Sequence, residues 1–591
     1  MHRIHLVGLA SLAAMAVLSV GLAQNPSVRE MEKQRIEVIN KVRPAVVAIY
    51  ARGGQGGGSG VLIDAEGYAL TNFHVVQGSG PVMQCGLADG NLYDAVVVGL
   101  DKVGDVSLVK LLPKKEGTPF PFAPLGDSDK IHEGDWSIAM GNPFLLATDF
   151  TPTVTFGLIS GVHRYQYPEG TLLEYTDCIQ IDTSINPGNS GGPLFNMKGE
   201  LIGINGRGSF DKRRRINSGV GYAISINQIK NFLGHLHAGL DTDHASLGAR
   251  VQSATEDIPR LEVQEVLDNS DAARRGLDVG DELISFAGRP LSTVNEYKNV
   301  LGIYPKDWRL PLEFRRKNER KEVLVRLQGV MPKQAEEDDP NKPKAPGTPA
   351  RPPIPNTPAK KLYVERRGFA NYHFNELHQK SLWNAFVKHG DFANFKGEWV
   401  IDAEMELAAS KSPCRVTLGE QSVGDKETHP TVKLVAATDY FLDPYKQNLV
   451  DAERTAPIGS GGLLMAFYQY KLLLTQGLAG FGRNVAHGGM EPFYPYPPDG
   501  SKPKHLRDLR VDTEVLRTEN AGVPAKWYFS KTDQKLLGFE VFPENNADPC
   551  EMYLSDYKAV DGRQLPHRIE VRFGDNRFAV LNIKSYKLAS K

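Results

Sequence analysis

The chain has 591 residues, with 69 Lys and Arg against 70 Asp and Glu and a formal net charge of −1. That length exceeds one hydrophobic core and suggests roughly three or four domains, while the balanced charge excludes a global basic field for nucleic acid or an acidic membrane. The four cysteines, Cys85, Cys178, Cys414 and Cys550, are too few for a disulfide framework and have no C-x-x-C spacing. Cys414 and Cys550 fall in one domain and could pair in an oxidising compartment.

The chain opens with "MHRIHLVGLASLAAMAVLSVGLAQ", a basic start, an apolar run from Leu6 to Leu22, and small residues before Gln24. Residues 1–23 read as a secretory signal cleaved after Ala23, giving a periplasmic or secreted protein. An uncleaved membrane anchor is the alternative, with a run just short of a comfortable span. "ARGGQGGGSG" lacks the GK[ST] of a phosphate cradle and reads as a flexible turn. From Ala45 to about Phe232, short apolar or alternating runs ("AVVAIY", "GSGVLID", "YALTN", "AVVVGL", "SLVKL", "LIGING", "GYAISI") are separated by Gly, Pro, Asn and Asp. Many short strands at such spacing predict an all-β barrel or sandwich. The basic run Lys212-Arg213-Arg214-Arg215 reads as a solvated loop.

Within this region "INPGNSGGPL" surrounds Ser190 with three glycines and two prolines. Such a stretch can hold a serine at a tight turn with amide N–H groups aimed at a reacting atom. It also fits the G-x-S-x-G elbow of α/β-hydrolases, in which a helix follows the serine and the acid and histidine lie downstream. Here strand, turn and strand follow, while His74 lies upstream beyond "YALTN" and Asp105 opens "DVSLVKL". The order His, Asp, Ser is that of the trypsin-like double barrel, where a base takes the serine proton, an acid orients the base and N–H groups hold the oxyanion.

Residues 246–330 form a second unit, with "LEVQEVL" and "ELISFAG" strand-like and "STVNEYKNVLGIY" helical, capped by Ser292 or Thr293. Residues 331–360 are rich in Pro and charge and read as a semi-extended linker. The block 361–591 begins with a helical segment, "GFANYHFNELHQKSLWNAF", and turns β-rich. "EWVIDAEMEL" alternates, "KWYFSKTDQKLLGFEVF" reads as a hairpin, and two more strands flank Gly574-Asp575-Asn576, predicting an antiparallel sheet with helices on one side. "HFNELH" lacks zinc spacing, and no metal or organic cofactor is implied. The strand pattern of this block also resembles, at the level of fold only, the half-barrels of lipoprotein carriers.

"TNFHVV", "DVSLVKL" and "INPGNSGGPL", with "GSGVLID", "GNPF" and "GYAISI", resemble the HtrA (DegP-like) trypsin-like serine proteases, and "SDAARRGLDVGDELISFAGRPL" resembles a PDZ domain. The resemblance implies a trypsin-like protease domain over 24–240 and a PDZ domain over 246–330, within a mainly β, multidomain chain ending in a β-rich α+β block. It further implies Ser190 as nucleophile, His74 as general base and then acid, Asp105 as its orienting carboxylate, and the N–H groups of Gly188 and Ser190 as oxyanion hole, with Asn189 setting the turn. Ile185 and the segment Gly219, Val220, Gly221 and Tyr222 are expected to wall the specificity pocket. Ser184 stands where a trypsin-type pocket has an acid, so a small or medium aliphatic residue is expected before the cut. Leu247, Gly248 and Ala249 match the loop that captures a peptide's terminal carboxylate, and Arg164 falls where the family has a sensor arginine. The implied partners are unfolded or damaged envelope proteins, C-terminal peptides at the PDZ domain, and two further copies of the chain in a homotrimer or larger assembly. A non-proteolytic chaperone or scaffold, or a lipid or lipoprotein binder, stays open.

Overall fold

The computed structural model describes residues 28–50, 57–142, 149–166, 174–186, 188–210, 217–254, 259–331, 356–408, 410–423, 427–497, 500–501 and 503–590. The signal segment, the glycine run at 51–56, the basic run at 212–215 and most of the linker lie outside these residues. Among the described residues no helix is long and apolar enough to cross a membrane.

After helix α1 (Val28–Val42), six strands form the first barrel: β1 (Val46–Tyr50), β2 (Gly57–Leu62), β3 (Tyr68–Thr71), β4 (Val82–Leu87), β5 (Leu92–Asp101) and β6 (Val106–Leu111). Their order is β5-β4-β1-β2-β3-β6, and β5 pairs with β6 to close it. The runs are rich in β-branched residues, which suit a pleated, buried surface, and Ile49, Val61, Leu70 and Leu108 are fully buried inside. Helix α2 (Phe73–Ser79) interrupts the barrel after β3. A second closed barrel follows, with β7 (Trp136–Gly141), β8 (Thr153–Gln166), β9 (Tyr175–Ile181), β10 (Pro193–Phe195), β11 (Leu201–Phe210) and β12 (Asn217–Ser225) in the order β10-β11-β12-β9-β8-β7. This is the expected trypsin-like double barrel, and helix α3 (Ile226–His237) leads out of it.

The second unit packs strands and helices around Leu261, Leu283, Leu310, Leu312 and Phe314. Among the described residues, its edge strand Ala249–Ser253 pairs with Leu261–Val266 alone. Helix Val294–Gly302 starts at Thr293, one of the two caps expected, whose side chain accepts from Glu296 N while the Glu296 carboxylate accepts from Thr293 N, a capping box.

The last block is an eleven-stranded antiparallel sheet running in space from Asp439–Leu442 to Val485–Phe493, with Trp399–Leu407 paired to Asn576–Leu588 near its middle. Leu463–Gln476, unrecognised in the sequence, is a helix seated in this sheet, with Leu464, Phe467 and Leu473 fully buried. A helix apolar on every side belongs inside a core. None of the four cysteines is in a disulfide, so the possible Cys414–Cys550 pair is not formed.

The units are docked. Asn299 of the second unit accepts from Asp177 N (2.8 Å) and donates to His163 O (2.6 Å) in the second barrel. Arg289 pairs with Asp177 and Asp129 there. Arg309 and Arg326 reach buried carboxylates of the C-terminal sheet, Glu551 at 2.7 Å and Glu540 at 2.6 Å. The segment after the linker returns to the first barrel, where Ala359 and Phe374 join its core and Asn371 donates to Val97 O (2.8 Å).

Candidate active site

Asp105 sits in the turn between β5 and β6 with φ +57°, a left-handed conformation that Asp tolerates better than most residues. Its carbonyl accepts from Phe73 N (3.2 Å) and from the Asn72 side chain (2.9 Å), tying the turn to the start of α2. Its carboxylate, fully buried, accepts from His74 N (3.0 Å) and lies 2.8 Å (Oδ2) and 3.1 Å (Oδ1) from His74 Nδ1. An imidazole that donates from Nδ1 presents Nε2 as an acceptor, and the His74 side chain is 39% exposed, open to the crevice between the barrels.

Ser190 reaches the same place from the second barrel. Strand β2 supplies the seat: Ser59 N donates to Ser190 O (2.8 Å), and Ser59 Oγ donates to Gly188 O (2.7 Å) while accepting from Asn142 N (2.9 Å). The approach is close enough that a Cβ on Gly58 would fall 2.8 Å from the Ser190 carbonyl and one on Gly191 would fall 2.2 Å from Ser59 O. The glycines therefore permit backbone contact rather than looseness. Gly188 has φ +101°, and Asn189 N is engaged by Asn186 O (2.9 Å). Among the described residues neither Gly188 N–H nor Ser190 N–H has an acceptor, which leaves two flanking donors for an oxyanion. Ser190 Oγ donates to Gly206 O at 3.4 Å, and no hydrogen bond joins it to His74.

The remaining candidates divide. Ile185 is buried in the second barrel against Gly221, where an added Cβ would meet the Ile185 side chain at 2.9 Å. Gly219, with φ +77°, is exposed, and Val220 and Tyr222 are half-buried beside it. Arg164 lies on β8 with its guanidinium folded over Gly161. In the second unit Leu247 is buried, Gly248 N donates to Ser246 Oγ (3.2 Å), and Ala249 O accepts from the buried Tyr297 hydroxyl of helix Val294–Gly302 (3.0 Å). His373 and His378 lie on the helix Tyr372–Phe386, and among the described residues no cluster of three or more His, Cys, Asp or Glu could hold a metal ion.

Two residues of the site escaped sequence reasoning. Ser59 anchors the serine loop, and Tyr175 on β9 donates its hydroxyl to Asp105 Oδ2 at 2.5 Å. Each acts on a partner far away in the chain, so no local pattern marks it. A cavity of about 570 Å³ on the first barrel, lined by Arg43, Leu87, Tyr93, Lys114 and Phe120 among others, touches none of these residues.

A double barrel carrying a buried carboxylate, a histidine and a serine at its crevice, followed by a smaller unit of strands and helices, defines the trypsin-like peptidases with a PDZ domain. The trypsin-like peptidase domain matches residues 58–204 and the PDZ domain residues 237–314. Over this region the chain is HtrA/DegP-like. It is 39% identical over 254 residues to HhoA of Synechocystis sp., and 34% identical over 302 residues to the periplasmic serine endoprotease DegP of Escherichia coli. These matches cover 40% and 47% of the chain and 61% of the length of each relative. Among solved structures, the HtrA-type protease AlgW with tripeptide is 30% identical, covering 50% of this chain and 98% of that one with a TM-score of 0.42.

Proposed function

We propose that the protein is an exported serine endopeptidase of HtrA type that cleaves unfolded or damaged proteins of the cell envelope without ATP. His74 takes the Ser190 proton as the hydroxyl attacks the scissile carbonyl, and the same ring returns it to the leaving amine. Asp105 fixes the imidazole with Nε2 facing the serine and supports the imidazolium electrostatically. Gly188 N–H and Ser190 N–H receive the developing oxyanion, an interaction in which losing one donor typically costs about 2.7–4 kcal/mol of transition-state stabilisation. The single observation that carries this reading is the His74–Asp105 pair at 2.8 Å beside a serine loop with two unengaged N–H groups. Ile185 and Gly219 to Tyr222 form the pocket for an aliphatic residue before the cut, and Leu247 to Ala249 receive a peptide C-terminus. Arg164 senses engagement, and the working assembly is a homotrimer or larger. Periplasmic location follows the names of relatives such as DegP.

A scaffold that binds without cutting draws on a different observation, the Ser190 hydroxyl directed at Gly206 O rather than at His74. Incubating the mature protein with unfolded casein beside Ser190→Ala separates the two. Cleavage by the native protein and none by the variant is expected; no cleavage by either supports the scaffold.

A further inference from the structure

We infer that Tyr175 is a positioning residue for the Asp105–His74 pair, held in place by the PDZ helix Val294–Gly302 through strand β9; this rests on the endopeptidase reading above. Asp105 belongs to the first barrel and Tyr175 to the second, so the hydrogen bond from the tyrosyl hydroxyl to Oδ2 (2.5 Å) ties the two walls of the crevice together at the catalytic acid. Oδ2 is also the oxygen 2.8 Å from His74 Nδ1, while Oδ1 takes the His74 backbone N–H at 3.0 Å. A carboxylate gripped by backbone on one oxygen only can rotate, and a second donor on the other oxygen fixes the plane that His74 reads.

The rest of Tyr175 is placed with equal care. It is 3% exposed, and its ring lies against Gly206, where an added Cβ would be 2.5 Å from the tyrosyl Cε1. Gly206 is also the residue whose carbonyl accepts from Ser190 Oγ. One ring thus borders both halves of the catalytic set.

The two residues after Tyr175 are the ones the PDZ unit grips. Asp177 has φ +50°, and its N–H is held by Asn299 Oδ1 at 2.8 Å. Its carboxylate is 2.7 Å from His163 Nδ1 and 3.2 Å from Arg289. Gly302 abuts Thr176 so closely that a Cβ there would lie 2.3 Å from the threonyl Cγ2. Docking of the helix therefore fixes β9 one and two residues from the hydroxyl that holds Asp105. This contiguous set of contacts is a physical route for coupling, and it ends at the acid rather than at the oxyanion loop.

Tyr175→Phe keeps the ring and removes the donor. It should lower kcat about ten-fold, the worth of one such bond, with KM little changed. A carboxylate relieved of the tyrosyl donor supports the protonated imidazole more strongly, so the acid limb of the pH–rate profile should move to higher pH. The downfield proton resonance of His74 Nδ1–H should move as well, a readout that needs no turnover. Asn299→Ala should act in the same direction, and the double variant should be no worse than Tyr175→Phe alone. A wild-type kcat, pH profile and Nδ1–H resonance in a folded Tyr175→Phe protein would overturn the inference, and additive losses in the double variant would overturn the PDZ link. A moved resonance in a protein whose native form cleaves nothing would instead refute the endopeptidase reading while leaving the Tyr175 assignment standing.

Discussion

Ser59 makes four hydrogen bonds that together fix the serine loop: N–H to Ser190 O, Oγ to Gly188 O, Asn142 N to Oγ, and Thr71 Oγ1 to its carbonyl. Holding the Gly188 carbonyl from behind fixes the Gly188–Asn189 peptide that lies between the two flanking N–H groups. Ser59→Ala releases that carbonyl and removes the Ser59 Oγ acceptor of the buried Asn142 N–H. It should lower kcat on a chromogenic peptide roughly ten- to a hundred-fold, part of the loss of a whole oxyanion donor, and lower stability by about 1–3 kcal/mol in chemical unfolding. An unchanged kcat would remove Ser59 from the oxyanion loop's support. His74, Asp105 and Ser190 stand out in the sequence as candidates because their neighbours are unusual and their order matches that of the trypsin-like double barrel. Ser59 and Tyr175 do not, since their partners lie 129 and 70 positions away and "GGSG" or "EYTD" read as ordinary strand starts.

Among the elements, the groove between strand Ala249–Ser253 and helix Val294–Gly302 has a built-in occupant. The Tyr297 hydroxyl donates to Ala249 O at 3.0 Å, on the edge strand to which a peptide would add. A peptide adding to that strand, as proposed above, would compete with the tyrosine for that carbonyl. Tyr297→Phe should tighten binding of peptides with free apolar C-termini about two- to ten-fold, the worth of one hydrogen bond, measured by fluorescence anisotropy with an amidated peptide as control. Equal or weaker binding would show that the hydroxyl does not guard the groove. The helix itself was readable from "STVNEYKNVLGIY", with Ser292 or Thr293 as its cap, because a cap is a local device. The helix Leu463–Gln476 was not, because "LLMAFYQYKLLLTQ" lacks the polar face that gives an amphipathic helix its period. Alternation in "EWVIDAEMEL" marked its strand correctly, with Trp399, Ile401, Ala403 and Met405 buried.

At the scale of the whole molecule, the three units are joined by polar groups buried where they meet. His235 and His237 of α3 face His378 and His487 of the C-terminal block, with His237 and His378 rings 6.5 Å apart and His378 and His487 rings 5.4 Å apart. Burial, reinforced by Arg517 and Lys526, pushes His235 down to about 3. Burial, with neighbouring His378 and Lys110 for His237 and His487 for His378, pushes those two down to about 4. Asp307, Glu514 and Glu66 oppose these shifts without cancelling them. The unfolded chain then binds more protons than the folded one below the ordinary value of 6.5, so stability rises with pH and is lost progressively as pH falls from about 6.5 towards 4. Thermal unfolding of the full chain at pH 7 and pH 4.5 should show this loss, and His378→Gln should reduce it; a flat profile would mean that the interface does not bury neutral histidines. None of this docking was legible in the sequence, which marks the three units in order but not which faces meet. The central claim, an activated Ser190, is tested most directly by reacting the mature protein with an organophosphorus fluoridate and locating the adduct by peptide mass mapping. A single adduct on Ser190, lost in His74→Ala, is the predicted result; no adduct on Ser190, or equal labelling of the His74→Ala protein, would contradict it.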